Sequence, residues 1–236
     1  MSDLMLETLT DGLGALELTL DGAVLEKLCA FARAMVKQNE VMNLTGITED
    51  APVAKLHLLD SLTVASCVDL KNKTLIDVGC GAGFPGVPLA LYRPDCRLTL
   101  LDSLNKRLTF LDTVCRETGL DAQLIHARAE EGGQTPALRE KYDIACARAV
   151  AALPTLAEYC LPFVKVGGRF IALKGPDADR ERADAARGIG VLGGKISDVT
   201  ALTLPATLTE LGEQAFVNSD SIQTVVLPAG LTTLGA

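Results

Sequence analysis

The chain has 236 residues, 48% hydrophobic, 4% aromatic and without tryptophan, which suits one substantial globular domain with a small appendage. A net charge of −8 argues against a broadly basic nucleic-acid surface, and seven cysteines without a C-x-x-C pair, beside two distant histidines, argue against a metal or disulfide framework. No apolar stretch approaches membrane-spanning length and the first residues lack a basic, hydrophobic leader, so a cytoplasmic protein with no membrane and no metal is expected.

In chain order, Leu25, Leu28, Cys29, Ala32, Met35 and Val36 follow helical spacing after Asp21-Gly22, a natural N-cap. Asn43-Leu-Thr-Gly46 breaks that pattern, and a second helix is predicted from Pro52 to about Cys67. Together these form an N-terminal helical cap over residues 1–70. From Lys73 short apolar runs alternate with helical patterns: Thr74–Val78, a helix from Gly86, Arg97–Leu101, helix Asn105–Thr118, Ala122–Ala127, Tyr142–Ala147, helix Leu153–Phe163, Arg169–Lys174 and helix Asp177–Arg187. Such alternation builds an α/β fold, a mostly parallel sheet with helices on both faces. Ile196–Leu204 reads as one more strand.

Then the texture changes. All 22 lysines and arginines lie at or before Lys195, and residues 196–236 carry four acids and no base. Within them Leu204–Gly212 is echoed by Leu227–Gly235, 23 residues on, with mismatches only at Thr207/Gly230 and Glu210/Thr233. The period and the Leu-Pro, Leu-x-x-Leu-Gly spacing suit a leucine-rich repeat, although a solenoid needs more units than are present. Ser221–Leu227 is strand-forming and could supply a last strand to the sheet.

The densest chemistry lies after the first strand, in Asp77-Val-Gly-Cys-Gly-Ala-Gly-Phe-Pro-Gly-Val-Pro88. Glycines 79, 81 and 83 let backbone approach a ligand closely at the carboxyl edge of a parallel sheet. Gly81-Ala-Gly83-Phe-Pro-Gly86 also matches the dinucleotide fingerprint, which alone is weak. Asp102, 19 residues after Gly83, stands where either cofactor class needs a ribose-binding acid. Asp77 separates the two: a buried carboxylate repels a pyrophosphate but welcomes the ammonium group of S-adenosylmethionine. A third role for Asp77 is to cap the following helix or loop.

Further stretches complete a pattern: Asn43-Leu-Thr45, His57-Leu-Leu-Asp60-Ser61, Arg93-Pro94, Leu101-Asp-Ser103, Lys106-Arg107, Phe110-Leu111, Ala129-Glu130, Arg148-Ala149 and Lys174-Gly175. With the glycine loop extended to Phe-Pro-Gly-x-Pro, they make the chain resemble the bacterial 16S ribosomal RNA guanine-N7 methyltransferases, the glucose-inhibited division protein B family. The resemblance spans residues from about 25 to 204, roughly three quarters of the chain.

It implies a class I methyltransferase, a Rossmann-like doubly wound sheet over residues 71–205, S-adenosyl-L-methionine as cofactor, and 16S ribosomal RNA or the 30S subunit as partner of a monomer. By resemblance, Gly79 and Phe84 contact the donor, Asp77, Gly81 and Gly83 shape its seat, Asp102 and Ser103 meet the ribose, and Ala129-Glu130 flank its adenine. Arg148 points into the site, and Lys106, Arg107 and Lys174 meet RNA. Transfer to guanine N7, which carries a free lone pair, implies no general base. His57 and Asp60, at i and i+3, read as a buried hydrogen-bonded pair or a functional one. The family pattern stops near Pro205: residues 206–236 lack its basic final strand, which leaves an inactive chimera with an interaction tail as one alternative, while the acidity and low aromatic content leave a small-molecule methyltransferase as another.

Overall fold

A computed structural model describes residues 3–175 and 177–197, and farther on the paired strand residues 202–203, 210–211, 225–226 and 233–234. The chain divides into two compact units, Met1–Gly194 and Lys195–Ala236.

The first unit begins with α1 (Leu4–Ala15), capped by the Asp3 carboxylate and burying Met5, Leu9 and Leu13 at i, i+4, i+8. The sequence pattern does not announce this helix, because Gly12 and Gly14 interrupt it and read as breakers. In the fold Gly12 is where the Leu59 side chain presses on the helix. Helix α2 (Gly22–Met42) starts where Asp21 accepts the Val24 N–H at 2.8 Å and ends on Asn43 at φ +49°. The region expected as one helix from Pro52 to Cys67 is segmented: α3 (Asp50–Val53), a π-helical turn (Ala54–Leu59), α4 (Asp60–Leu62) and α5 (Val64–Cys67). π-turns are uncommon and concentrate at functional sites.

Strands β1 (Thr74–Val78), β2 (Arg97–Asp102), β3 (Ala122–His126), β4 (Tyr142–Arg148) and β5 (Val164–Leu173) form one all-parallel sheet in the order β3-β2-β1-β4-β5. The crossovers are α6 (Gly86–Tyr92), α7 (Asn105–Thr118), α8 (Ala129–Gly132) and α9 (Leu153–Cys160); α10 (Ala178–Val191) follows β5. β5 begins five residues before the expected Arg169, because Gly167-Gly168 reads as a turn yet lies in the strand. At Gly168 any β-carbon would sit 2.7 Å from the Asp143 carbonyl, beside a break in the β4–β5 register.

Two apolar layers flank the sheet. On one side α1, α2, α6 and α7 bury Phe31, Met35, Leu89, Leu108 and Leu111 with Leu75, Leu98 and Leu100, so the N-terminal helices share the sheet's core. On the other, Ile76, Val78, Leu101 and Ala145 pack with Leu156, Cys160 and Phe163. The chain leaves β1 for β2 and β3 in one direction and reaches β4 and β5 in the other. This reversal opens a crevice at the carboxyl ends of β1 and β4.

In the second unit Leu202–Thr203 pairs in parallel with Val225–Val226, and Glu210–Leu211 with Thr233–Leu234. Every partner lies 23 residues on, the interval of the sequence echo. Val225–Val226, inside the segment expected to supply a last strand to the sheet, has Leu202–Thr203 as its partner among the described residues. Of the predicted Ile196–Leu204 strand, Leu202–Thr203 is strand and residues 196–197 are not; residues 198–201 and 204, and most of the repeat, lie outside the described residues.

Candidate active site

The crevice holds a cavity of about 620 Å³ walled by Gly79, Gly81, Phe84, Arg107, Arg148 and Lys174 among others. A second, of about 290 Å³, is lined by Ser103, Leu104, His126, Ala127, Arg128 and Glu131. Asp102, at the end of β2, connects the two sets through its bonds to Gly81, Arg107 and Leu104.

The glycine loop turns its amides inward. Gly79 and Cys80 donate to the Leu101 carbonyl at 2.8 and 3.1 Å, Gly83 donates to the Cys80 carbonyl, and Gly81 donates to Asp102 Oδ2 at 2.9 Å. The N-terminus of α6 is occupied as well, since Asp77 Oδ2 accepts the Gly86 N–H at 2.8 Å. A dinucleotide's pyrophosphate is held by free amides of such a loop and helix start, and here those of Gly79, Cys80, Gly81, Gly83 and Gly86 are engaged. A carboxylate beneath the loop suits a cation above it. Gly79, at φ +70°, tolerates no β-carbon beside Val150, whose Cγ2 would lie 2.8 Å away. Gly83 is different: its missing side chain makes room for Leu111, Val87 and Phe31, so it serves helix packing and does not wall the cavity.

Asp77 is fully buried and Oδ1 is its one unpartnered atom, a buried carboxylate oxygen without a donor. Burial pushes its pKa up to about 7, against the Gly86 N–H, which lowers it. It lies beneath the loop and not in the wall, so its influence on a ligand is electrostatic rather than by contact. Asp102 is 2% exposed, with Oδ1 accepting the Leu104 N–H at 2.8 Å and Oδ2 facing Arg107 Nη1 at 3.4 Å. Ser103 is exposed and lines the smaller cavity. Ala129 packs against the second core layer and Glu130 interacts with the Tyr159 hydroxyl; the smaller cavity is walled by their neighbours Ala127, Arg128 and Glu131.

Arg148 ends β4 and joins segments remote in sequence. Its Nη1 donates to Asp60 Oδ2 at 2.8 Å and to the Leu56 carbonyl at 3.0 Å, and Nη2 reaches His57 Nδ1 at 3.1 Å. The guanidinium lies 5.0 Å from the centroid of Phe84, on which His57 also stacks at 4.9 Å. Phe84 therefore packs the core against Phe31 and floors the cleft at once. Arg148 Nη2 can only donate, so His57 Nδ1, which also lies 3.1 Å from the Leu56 carbonyl, accepts from it and the neutral ring carries its proton on Nε2, 2.8 Å from Thr45 Oγ1. Burial first, then the Arg148 charge, lowers the His57 pKa and keeps the ring neutral. His57 and Asp60 thus meet through Arg148 and not directly.

Lys106 is exposed at the start of α7, outside both cavities, with Arg107 beside it on the cleft. Lys174, expected to meet RNA, is engaged internally: its Nζ pairs with Glu181 Oε2 at 2.7 Å and donates to the Ala151 carbonyl at 2.9 Å. Thr45, Leu56, Ala149 and Glu181 also line the cleft. The motif pattern brought Thr45 and Ala149 into view without a role. Glu181 gave no signal, sitting among the alternating charges of a solvated helix.

The chain matches the family model described as GidB, rRNA small subunit methyltransferase G, over residues 24–208. It belongs to that family. A ribosomal RNA small subunit methyltransferase G from Alkaliphilus metalliredigens is 50% identical over 199 residues, 84% of this chain and 83% of that protein. One from Brevibacillus brevis is 43% identical over 219 residues, 92% of this chain and 91% of its own length. Among solved structures, the branched-chain polyamine synthase C9 mutein of Thermus thermophilus aligns with a TM-score of 0.50 at 14% identity, covering 69% of this chain and 49% of that one, a likeness of fold alone. Among the described residues no helix is long and apolar enough to cross a membrane. Family membership makes the chain a methyltransferase, with S-adenosylmethionine as cofactor. The residues present fit that donor: acceptor-rich loop, orphaned carboxylate oxygen, and ribose-height acid between two cavities.

Proposed function

We propose that this chain methylates N7 of a guanine in 16S ribosomal RNA, in the cytoplasm, as a monomer. The observation that carries the reading is the inward-turned glycine loop over Asp77, in a chain of this family. Gly79 and Gly81 seat the amino-acid end of the donor through their carbonyl and Cα surfaces, with Asp77 supplying negative potential from below. Asp102 and Ser103 take the ribose, and the cavity between Leu104 and Arg128 takes the adenine, at the neighbours of Ala129 and Glu130.

The donor supplies a methyl group on a sulfonium, already activated towards a nucleophile. Guanine N7 carries an in-plane lone pair and no proton, so accepting that methyl group would need alignment by the cleft and no base. Arg148, fixed on three acceptors at the end of β4, keeps the cleft open and oriented. Its fork also suits the donor's carboxylate or an RNA phosphate. Lys106 and Arg107 meet RNA phosphates, the base being one that lies in a loop or splayed from its stack. We also propose that residues 206–236 form one and a half coils of a leucine-rich-type repeat, on the common interval of strand pairing and sequence echo.

The test is methyl transfer from tritiated donor to 16S RNA and to 30S subunits from a strain lacking the native enzyme, mapped by cleavage at 7-methylguanosine. Labelling of a single guanine is expected. Labelling of a metabolite extract with none of either RNA would overturn the proposal.

A further inference from the structure

The loop after Arg148 forms the β4 side of the cleft, and its own sequence cannot hold it there. Ala149 sits at φ +56°, a left-handed conformation that costs a residue with a β-carbon about 1 kcal/mol. Val150 is pressed across Gly79. Ala149-Val-Ala-Ala152 has no polar side chain to fix either feature.

The restraint comes from two residues far along the chain. Lys174 Nζ donates to the Ala151 carbonyl at 2.9 Å, and Glu181 Oε2 accepts the Leu153 N–H at 2.6 Å. The two charges meet at 2.7 Å with side chains only 15% and 21% exposed, so solvent screens the pair weakly. Lys174, first, and the Leu153 N–H, second, hold the Glu181 carboxyl below the usual carboxylate range. Both residues also wall the cleft. A lysine bound in this way has no freedom to follow an RNA backbone.

We infer that Lys174 and Glu181 are a pair of positioning residues that clamp the 149–152 loop over Gly79, and so set the wall against which the acceptor base is aligned with the donor. The clamp itself is independent of the substrate; its effect on the acceptor rests on the RNA reading above. Lys174 acts through the loop and not as a phosphate ligand.

The test uses the full chain with K174M, E181A and the conservative E181Q. For K174M and E181A, kcat on 16S RNA should fall by about tenfold or more, as misplacement of an aligned pair does. KM for RNA and the affinity for S-adenosylhomocysteine should stay within about twofold. E181Q keeps an oxygen acceptor and should keep most of kcat. Without any RNA, hydrogen exchange at the Leu153 amide should speed up in K174M and E181A. If K174M instead raises KM and reduces the salt dependence of RNA binding, while E181A changes neither kcat nor Leu153 exchange, Lys174 is a phosphate ligand and the clamp is refuted. If Leu153 exchange responds but wild type methylates no RNA, the clamp stands and the acceptor reading fails.

Discussion

The two walls of the cleft are built in opposite ways. The wall proposed to seat the donor is local: Asp77 to Gly86 is one strand, one loop and one helix start, and its partner Asp102 ends the neighbouring strand. The wall proposed to face the acceptor is assembled from Thr45, the π-turn at Leu56–His57, Arg148, the 149–152 loop, Lys174 and Glu181, spread over more than half the sequence. One wall depends on backbone shape and the other on side-chain networks. Substitutions should therefore break the first by sterics and detune the second by misalignment.

The sharpest break is Gly79→Val. A β-branched residue at φ +70° is strained, and its Cβ meets Val150. Calorimetry should show no binding of S-adenosylhomocysteine, with the far-UV circular dichroism of the fold retained. Arg148→Ala acts on the other wall, where it removes the donor to Asp60, Leu56 and His57 together. Turnover on RNA should fall by about 100-fold, the scale for losing a preorganised charged group. Arg148→Lys should not restore it, because a single ammonium cannot replace the fork.

Asp77 gives a pH signature for the donor wall. Its folded pKa, raised to about 7, exceeds the unfolded value, so its contribution to stability is lost as pH rises from near 4 to near 7. Asp77→Asn removes that titration. The stability difference between variant and wild type should move in favour of the variant by up to about 3 kcal/mol from pH 5 to pH 8, read by urea unfolding. A constant difference would mean that Asp77 is not desolvated. The smallest effect is expected from removing residues 209–236, which lie beyond the family match: donor affinity should change by less than about twofold if the tail is a separate unit.

The contrast between the walls also explains what the sequence disclosed. Strand alternation and the Asp21 cap are written in short-range patterns and are found where they were expected, save that β5 starts five residues early; the glycine loop and Asp102 stand at the carboxyl ends of β1 and β2. The three glycines alone would serve a dinucleotide as well, and in the sequence it is Asp77 that separates the two; the structure adds the inward bonding of the Gly79, Cys80 and Gly81 amides. α1 was hidden by Gly12 and Gly14, whose missing side chains answer a tertiary contact at the first of them. Arg148 was visible as a motif, but Asp60 and His57 as its partners were not, because the π-turn alters which side chains face β4. Lys174 read as a basic residue for RNA, since nothing near it in sequence announces Glu181 seven positions on as its ion-pair partner.

The donor seat is tested most directly by amide chemical shifts in ¹⁵N-labelled protein titrated with S-adenosylhomocysteine. Gly79, Gly81, Ser103 and Leu104 should move first and saturate together. Saturating shifts confined to residues outside both cavities, with those four unmoved, would contradict the account.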